Sequence, residues 1–172
     1  MNSSYAQDLI QHARLELSRA SSSGAPRQAD LRRAVSTAYY ALFHALCAAA
    51  ADRFIGKAAS VQLRAVVLRS FSHREMVKVC QAIENGNPGS RYGRILPTPL
   101  PADLCRVASA FVQLQKARHA ADYDPVSKHL KAEAQAHIDS AENALSLCAA
   151  LSKEPAFEAF LLVMHNPTGL RA

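Results

Sequence analysis

The sequence predicts an all-α protein, and three observations support that prediction. Residues with high helix propensity, above all Ala and Leu, dominate the 172 residues. Apolar residues recur at three- and four-residue intervals, and no β-branched run alternates as a strand would. Hydrophobic residues make up 49% of the chain, which is enough to build one sizeable core. The length is that of a single domain.

The first half of the chain is predicted to form two long helices and two shorter ones. An amphipathic helix is expected over residues 4–20, and the Ser- and Gly-containing segment 21–26 ends it. A second long helix is predicted over residues 26–52. Its core stripe consists of Leu31, Val35, Ala38, Tyr39, Leu42 and Leu46. Shorter helices are expected over residues 58–70 and 73–84.

The second half of the chain begins with a predicted long loop over residues 85–101, where Gly, Pro and Asn cluster. A long helix is expected over residues 102–123, and Pro125 disfavours helical geometry at the preceding residue. A last long helix should follow Ser127, which is a candidate N-cap. Its predicted apolar seam is Leu130, Ala134, His137, Ala141, Leu145 and Cys148.

Pro155 is predicted to begin a short C-terminal helix. We therefore divide the chain into a main helical domain, residues 1–154, and a C-terminal helix and tail, residues 155–172. If exposed, the apolar patch on this helix would attract a partner or a second copy. The patch consists of Phe157, Phe160, Leu161 and Met164.

Several classes of protein are disfavoured by the sequence. The first residues lack the regions of a signal peptide, and the weakly polar stretch 34–51 is interrupted by polar side chains. We therefore expect a cytoplasmic protein without a membrane span. The cysteines lack the paired spacing of metal or redox motifs, so reduced core thiols are expected. They are Cys47, Cys80, Cys105 and Cys148.

No metal and no cofactor are expected from the sequence. His129 and His137 lie eight residues apart on one face of a predicted helix. No carboxylate or thiol completes a ligand set beside them.

The most informative segment is 118–125, at the end of the predicted helix 102–123. At about 100° per residue, Arg118, His119, Asp122 and Tyr123 share one helix face. Arg118 and Asp122 continue an apolar stripe, which is an unfavourable place for charge. Two interpretations stay open: a structural ion pair one turn apart, or a functional cluster.

A polar strip on the second helix is a second candidate site wall. It includes Arg33, Tyr40 and His44, beside the core stripe. Such a strip faces either solvent or a site. A histidine in this position is either a satisfied core residue or a site residue, and the pattern leaves both open.

The middle of the chain carries the positive charge. Residues 53–94 contain eight basic and two acidic residues, a local net charge of +6 that equals that of the whole chain. A phosphate-binding surface has this composition, and so has a solvated face of a basic protein. Arg91, Tyr92 and Arg94 combine cations with a stacking ring, as binders of single-stranded RNA do. The alternative is a disordered surface insertion.

Two segments resemble motifs of the HEPN superfamily, the higher-eukaryote and prokaryote nucleotide-binding domain. The first reads Tyr-Tyr-Ala-Leu-Phe-His-Ala over residues 39–45, and the second reads Arg-x-x-Ala-Asp-Tyr-Asp-Pro over residues 118–125. The resemblance spans residues 5–150. It implies a HEPN-like antiparallel bundle of four to five main helices plus a short C-terminal helix, with residues 53–101 as a basic variable insertion.

The resemblance also implies a function, since many HEPN proteins are metal-independent endoribonucleases, some of them toxins or defence components. A base removes the RNA 2′-OH proton, and a guanidinium, here that of Arg118, stabilises the charge that develops on phosphorus. The two copies of a homodimer are expected to meet at a basic cleft. Nuclease members carry a His a few positions after the Arg, where this chain has Tyr123 and its neighbours, so His119 is the candidate base.

Two alternatives stay open beside the nuclease. The first is a non-catalytic HEPN module that binds RNA, a nucleotide or a partner protein. Some bacterial members act with a small nucleotidyltransferase in toxin–antitoxin-like pairs, and Tyr123 is then the candidate tyrosine for modification. The second is an unrelated four-helix bundle in which Arg118 and Asp122 form a structural pair.

Overall fold

The protein is all-α in the part of the chain that its structure, a computed structural model, describes: residues 3–20, 27–86 and 92–165. This confirms the predicted fold class. The helices are α1 (Ser3–Arg19), α2 (Gln28–Ile55), α3 (Val61–Arg69), α4 (His73–Glu84), α5 (Ala102–Tyr123), α6 (Lys131–Ala150) and α7 (Pro155–His165), with a 3₁₀ turn at Leu151–Lys153.

Four of these helices, α1, α2, α5 and α6, form an antiparallel bundle around α2. Tyr5 at the start of α1 contacts His44, and Glu16 near its end contacts Arg33, so α1 and α2 run in opposite directions. The last turn of α5 contacts the first turns of α2, so this pair is antiparallel as well. Helix α4 packs on α5, and α7 packs on α2 and α4.

Helix α2 is the centre of the hydrophobic core. All six residues of its predicted core stripe are fully buried, which confirms that stripe. Among the described helices, α2 alone is long and apolar enough to cross a membrane by length and composition. This corrects the expectation that no segment has that character. In the structure, 67% of its most apolar window is buried among the other helices, as in the central helix of a helical bundle.

The C-terminal helix α7 belongs to the same core, so the condition of exposure under which its apolar patch would attract a partner is not met. Phe157, Phe160, Leu161 and Met164 are each no more than 2% exposed. The physical reason is that α7 folds back onto α2 and α4, where its apolar side chains are removed from water. The patch is therefore not a docking surface.

The start of α6 also differs from the prediction. The helix begins at Lys131, and Ser127 lies in the preceding linker. There, the Asp124 carboxylate accepts hydrogen bonds from two backbone N–H groups, and the Ser127 carbonyl accepts one from Arg32 of α2. These contacts hold the linker out of helical geometry. Leu130, expected in the apolar seam, is 62% exposed as a result.

Candidate active site

Arg118 of α5 lies between two tyrosine rings. Its Nε is 2.6 Å from Asp122 Oδ2, and its Nη2 donates to Tyr40 Oη at 3.0 Å and to Tyr123 Oη at 3.4 Å. The guanidinium carbon is 5.5 Å from the ring centroid of Tyr40 and 5.2 Å from that of Tyr123. The ion pair predicted from helical spacing is therefore present, and it is part of a larger cluster.

The guanidinium of Arg118 is a fixed cation. Burial alone would lower its pKa, but Tyr40, Asp122 and the two phenolic hydroxyls together raise it. Its side chain is 17% exposed, so it is held by protein groups and still reaches the surface. A positioned, partly desolvated cation of this kind is suited to stabilising phosphate charge.

A histidine that the sequence did not single out completes the cluster. His73, the first residue of α4, stacks on Phe43 with ring centroids 3.9 Å apart and lies edge-on to Tyr40 at 6.0 Å. Its Nδ1 shares a 2.5 Å hydrogen bond with Tyr39 Oη. Burial lowers the pKa of His73, and the Arg118 charge lowers it further. The imidazole is therefore neutral at neutral pH, with Nε2 turned away from Tyr39.

Tyr39 orients this imidazole from the core. It is fully buried, and burial raises the pKa of its phenol far above the ordinary value. The phenol therefore stays protonated and serves as a fixed hydrogen-bond partner for His73. We call the group Tyr39, Tyr40, His73, Arg118, Asp122 and Tyr123 the Arg118 cluster.

His44 adjoins the Arg118 cluster through Tyr40. Their rings are stacked with centroids 6.1 Å apart, and Tyr5 lies edge-on to His44 at 5.2 Å. Burial lowers the pKa of His44. It is half-buried, so it is neither a wholly internal histidine nor a solvated one.

Two predicted site residues lie at or beyond the edge of the cluster. His119 is exposed, and its ring centroid is 5.1 Å from that of Tyr123, on the solvent side. Arg33 is exposed and forms an ion pair with Glu16 of α1 at 3.1 Å. The polar strip of α2 therefore has two parts. Arg33 contacts α1, whereas Tyr40 belongs to the Arg118 cluster and His44 adjoins it.

The predicted RNA-binding loop is not formed as expected. Tyr92 is only 6% exposed and belongs to the hydrophobic core, and its carbonyl accepts hydrogen bonds from the backbone N–H groups of Ile95 and Leu96. Its ring is therefore not available for stacking on a base. Arg94 is exposed, and Arg91 lies outside the described residues.

Protein carboxylates neutralise part of the basic segment. Arg53 pairs with Glu158, Arg64 pairs with Asp52 at 2.7 Å, and Lys78 pairs with Glu75 at 2.7 Å. Fewer basic side chains of residues 53–94 are therefore available to carry the net positive charge than the composition of this segment suggests.

Thiol and metal chemistry have little support. Cys47 and Cys148 are buried, and burial raises the pKa of each thiol to about 12, so neither forms a thiolate at neutral pH. No disulfide joins the four cysteines. Across the described residues, no group of three or more His, Cys, Asp or Glu side chains is arranged to hold a metal ion.

Comparison with known proteins identifies no relative of this chain. No family model matches the chain, and no curated protein or solved structure is significantly similar to it. The resemblance to the HEPN superfamily therefore rests on the two motifs, which the fold brings together at Tyr40 and Arg118.

Proposed function

We propose that this protein is a metal-independent endoribonuclease of the HEPN type, with the Arg118 cluster as its active site. The observation that carries the proposal is that a neutral imidazole, His73, shares one cluster with a fixed guanidinium, Arg118. Cleavage of RNA by its own 2′-OH needs a proton acceptor and a cation at the phosphate, and it needs no cofactor. In this proposal two copies form a homodimer that brings both clusters to one basic cleft.

The proposed reaction assigns a role to each group. His73, in the tautomer whose Nδ1–H donates to Tyr39, accepts the 2′-OH proton at Nε2. The 2′-oxygen bonds to the adjacent phosphorus, and the bond from phosphorus to the 5′-oxygen breaks. Tyr40 Oη accepts a hydrogen bond from Arg118, so its own O–H is the donor for the leaving 5′-oxygen. Water then returns the proton from His73 to Tyr40.

Arg118 stabilises the charge that develops on the phosphorus oxygens. Its hydrogen bond to Tyr123, at 3.4 Å, is longer than its bond to Tyr40, and Tyr123 is 63% exposed. A substrate phosphate is therefore expected to replace Tyr123 as a partner of Nη2. The products are a 2′,3′-cyclic phosphate and a 5′-hydroxyl.

Replacing Arg118 with Ala is expected to lower the cleavage rate by about 10²–10³-fold, as loss of a charge-stabilising donor does. The measurement uses the purified protein in EDTA with end-labelled structured RNA and identifies the product ends. Arg106→Ala is the matched control, because Arg106 is an exposed arginine on the same helix. The proposal fails if wild type yields no cyclic phosphate, or if both variants lose activity equally.

A second candidate function is supported by the exposure of Tyr123. In a non-catalytic module, a partner nucleotidyltransferase would transfer a nucleotidyl group to this phenol: the oxygen attacks the α-phosphate of a nucleoside triphosphate and releases pyrophosphate. At 63% exposure the ring is accessible, and the hydroxyl lies beside a guanidinium that would hold the incoming phosphate.

Mass spectrometry of protein co-expressed with such an enzyme tests this second candidate. The expected result is one added nucleotidyl group on a peptide containing Tyr123, which Tyr123→Phe abolishes. Tyr5→Phe serves as control, because Tyr5 is a similarly exposed tyrosine on another helix. Modification that persists in Tyr123→Phe would rule out Tyr123 as the acceptor.

A further inference from the structure

A second concave surface lies beside His44, on the side away from Arg118. It is a cleft of about 670 Å³ between the start of α1, the second half of α2 and α3. This volume is within the range of small-molecule sites. We call it the α3 cleft. His44 is its link to the Arg118 cluster, since the ring stacks on Tyr40 on one side and lines the cleft on the other.

The outer wall of the α3 cleft is held in place by polar contacts. Gly56 ends α2 with a φ of 79°, in the left-handed region that favours glycine, and the chain turns there into α3. Ser60 caps α3 by accepting the Leu63 N–H at 3.2 Å. The Arg64 guanidinium binds Asp52 Oδ1 at 2.7 Å and the Gly56 carbonyl at 3.3 Å, which ties α3 to the end of α2. The cleft is therefore formed before any ligand arrives.

The lining of the cleft has the chemistry of a nucleotide site. Its floor is apolar, with Ala48 and Leu68, and Tyr5 offers a ring that is 49% exposed and braced by His44. Lys57 and Arg69 lie exposed at the rim, and no carboxylate lines the cleft among the described residues. A flat apolar surface with a ring suits a base, and uncompensated cations suit phosphate.

We propose that the α3 cleft is a subsite for one nucleotide of single-stranded RNA, next to the phosphate that is cleaved at the Arg118 cluster. The base stacks on Tyr5, and Lys57 and Arg69 bind the flanking phosphates. This inference rests on the proposed ribonuclease function, because His44 makes the two sites continuous. An acidic peptide is the competing occupant, since it would also be attracted to the two cations.

Binding of a short, fluorescent, fully 2′-O-methylated oligonucleotide tests the subsite by anisotropy, because that RNA cannot be cleaved. Tyr5→Leu is expected to weaken binding about tenfold, since it removes the stacking ring and keeps an apolar side chain. Lys57→Ala with Arg69→Ala is expected to reduce the slope of log K against log salt by about 1.4, the value for two contacts to a single strand.

The matched control is Lys131→Ala with Arg106→Ala, which removes one exposed lysine and one exposed arginine elsewhere. The subsite proposal is overturned if this pair weakens binding as much as the cleft pair, or if Tyr5→Leu binds like wild type. It is also overturned if free 5′-AMP binds more tightly than the oligonucleotide, or if only an acidic peptide binds. Failure of wild type to cleave RNA would instead count against the proposed function, because this assay reports binding alone.

Discussion

His73→Gln is expected to lower the rate of RNA cleavage by about 10²–10⁴-fold, the usual contribution of a general base. The substitution keeps a polar side chain next to Tyr39 and removes the group that accepts the 2′-OH proton. Because the pKa of His73 is lowered by burial and by Arg118, its base form persists as the pH falls below the ordinary histidine value. The acid limb of kcat/KM should therefore lie below about pH 6.5.

The control for His73 is His119→Gln, because His119 is the candidate base that the sequence alone proposed. The same EDTA assay, run across the pH range, is expected to show near-normal activity and an unchanged acid limb for that variant. Normal cleavage by His73→Gln together with loss in His119→Gln would assign the base to the exposed position. That result would remove His73 from the proposed mechanism.

Phe160→Ala should reduce the free energy of unfolding by about 3–5 kcal/mol, since it removes a fully buried aromatic ring and leaves a cavity. Phe160 lies on α7, which folds back onto α2 and α4. Urea denaturation followed by circular dichroism measures the change. Leu162→Ala is the matched control, because Leu162 is on the same helix and 43% exposed, and its effect should be within about 0.5 kcal/mol.

Equal and small effects of these two substitutions would show that α7 contributes little to the core. If both substitutions lower the free energy of unfolding by a similar large amount, local packing along α7 determines the loss, and burial of the one ring does not. Lost helix propensity would not explain that result, because alanine favours helix. Only a large difference between them fits a C-terminal helix that is integral to the bundle.

Local signals explain which helices could be predicted. The bounds of α4 and α5 match the prediction, 73–84 and 102–123, because proline and polar residues mark the ends of α5 and the apolar periodicity of α4 is strong. The prediction for α3, residues 58–70, was too long: Ser60 caps the helix, and it ends at Arg69. The start of α6 was wrong because a distant side chain, Arg32, holds its linker.

The candidate site, like the helices, contains residues that local signals in the sequence could place and residues that they could not. Helical geometry was sufficient to place Arg118 beside Asp122, and the polar strip of α2 included Tyr40, which contacts Arg118. His73 was missed because its contacts with Tyr39 and Phe43 of α2 depend on where tertiary packing places the start of α4, and no spacing in the sequence encodes that. Its one signal was that it is the only histidine in the basic segment 53–94. Tyr92 was misplaced for the opposite reason, since tertiary packing buried a ring that its loop suggested was exposed.

Helix α3 has no buried residue, although it forms one wall of a cleft. Substitutions of its exposed side chains therefore leave no cavity in the core, whereas Tyr39 of the Arg118 cluster is fully buried. In the proposed function, substrate preference and chemistry would therefore lie in segments with very different tolerance to mutation. Under that proposal, new RNA specificities should arise in α3 first during divergence or laboratory evolution, with the fold and the Arg118 cluster unchanged.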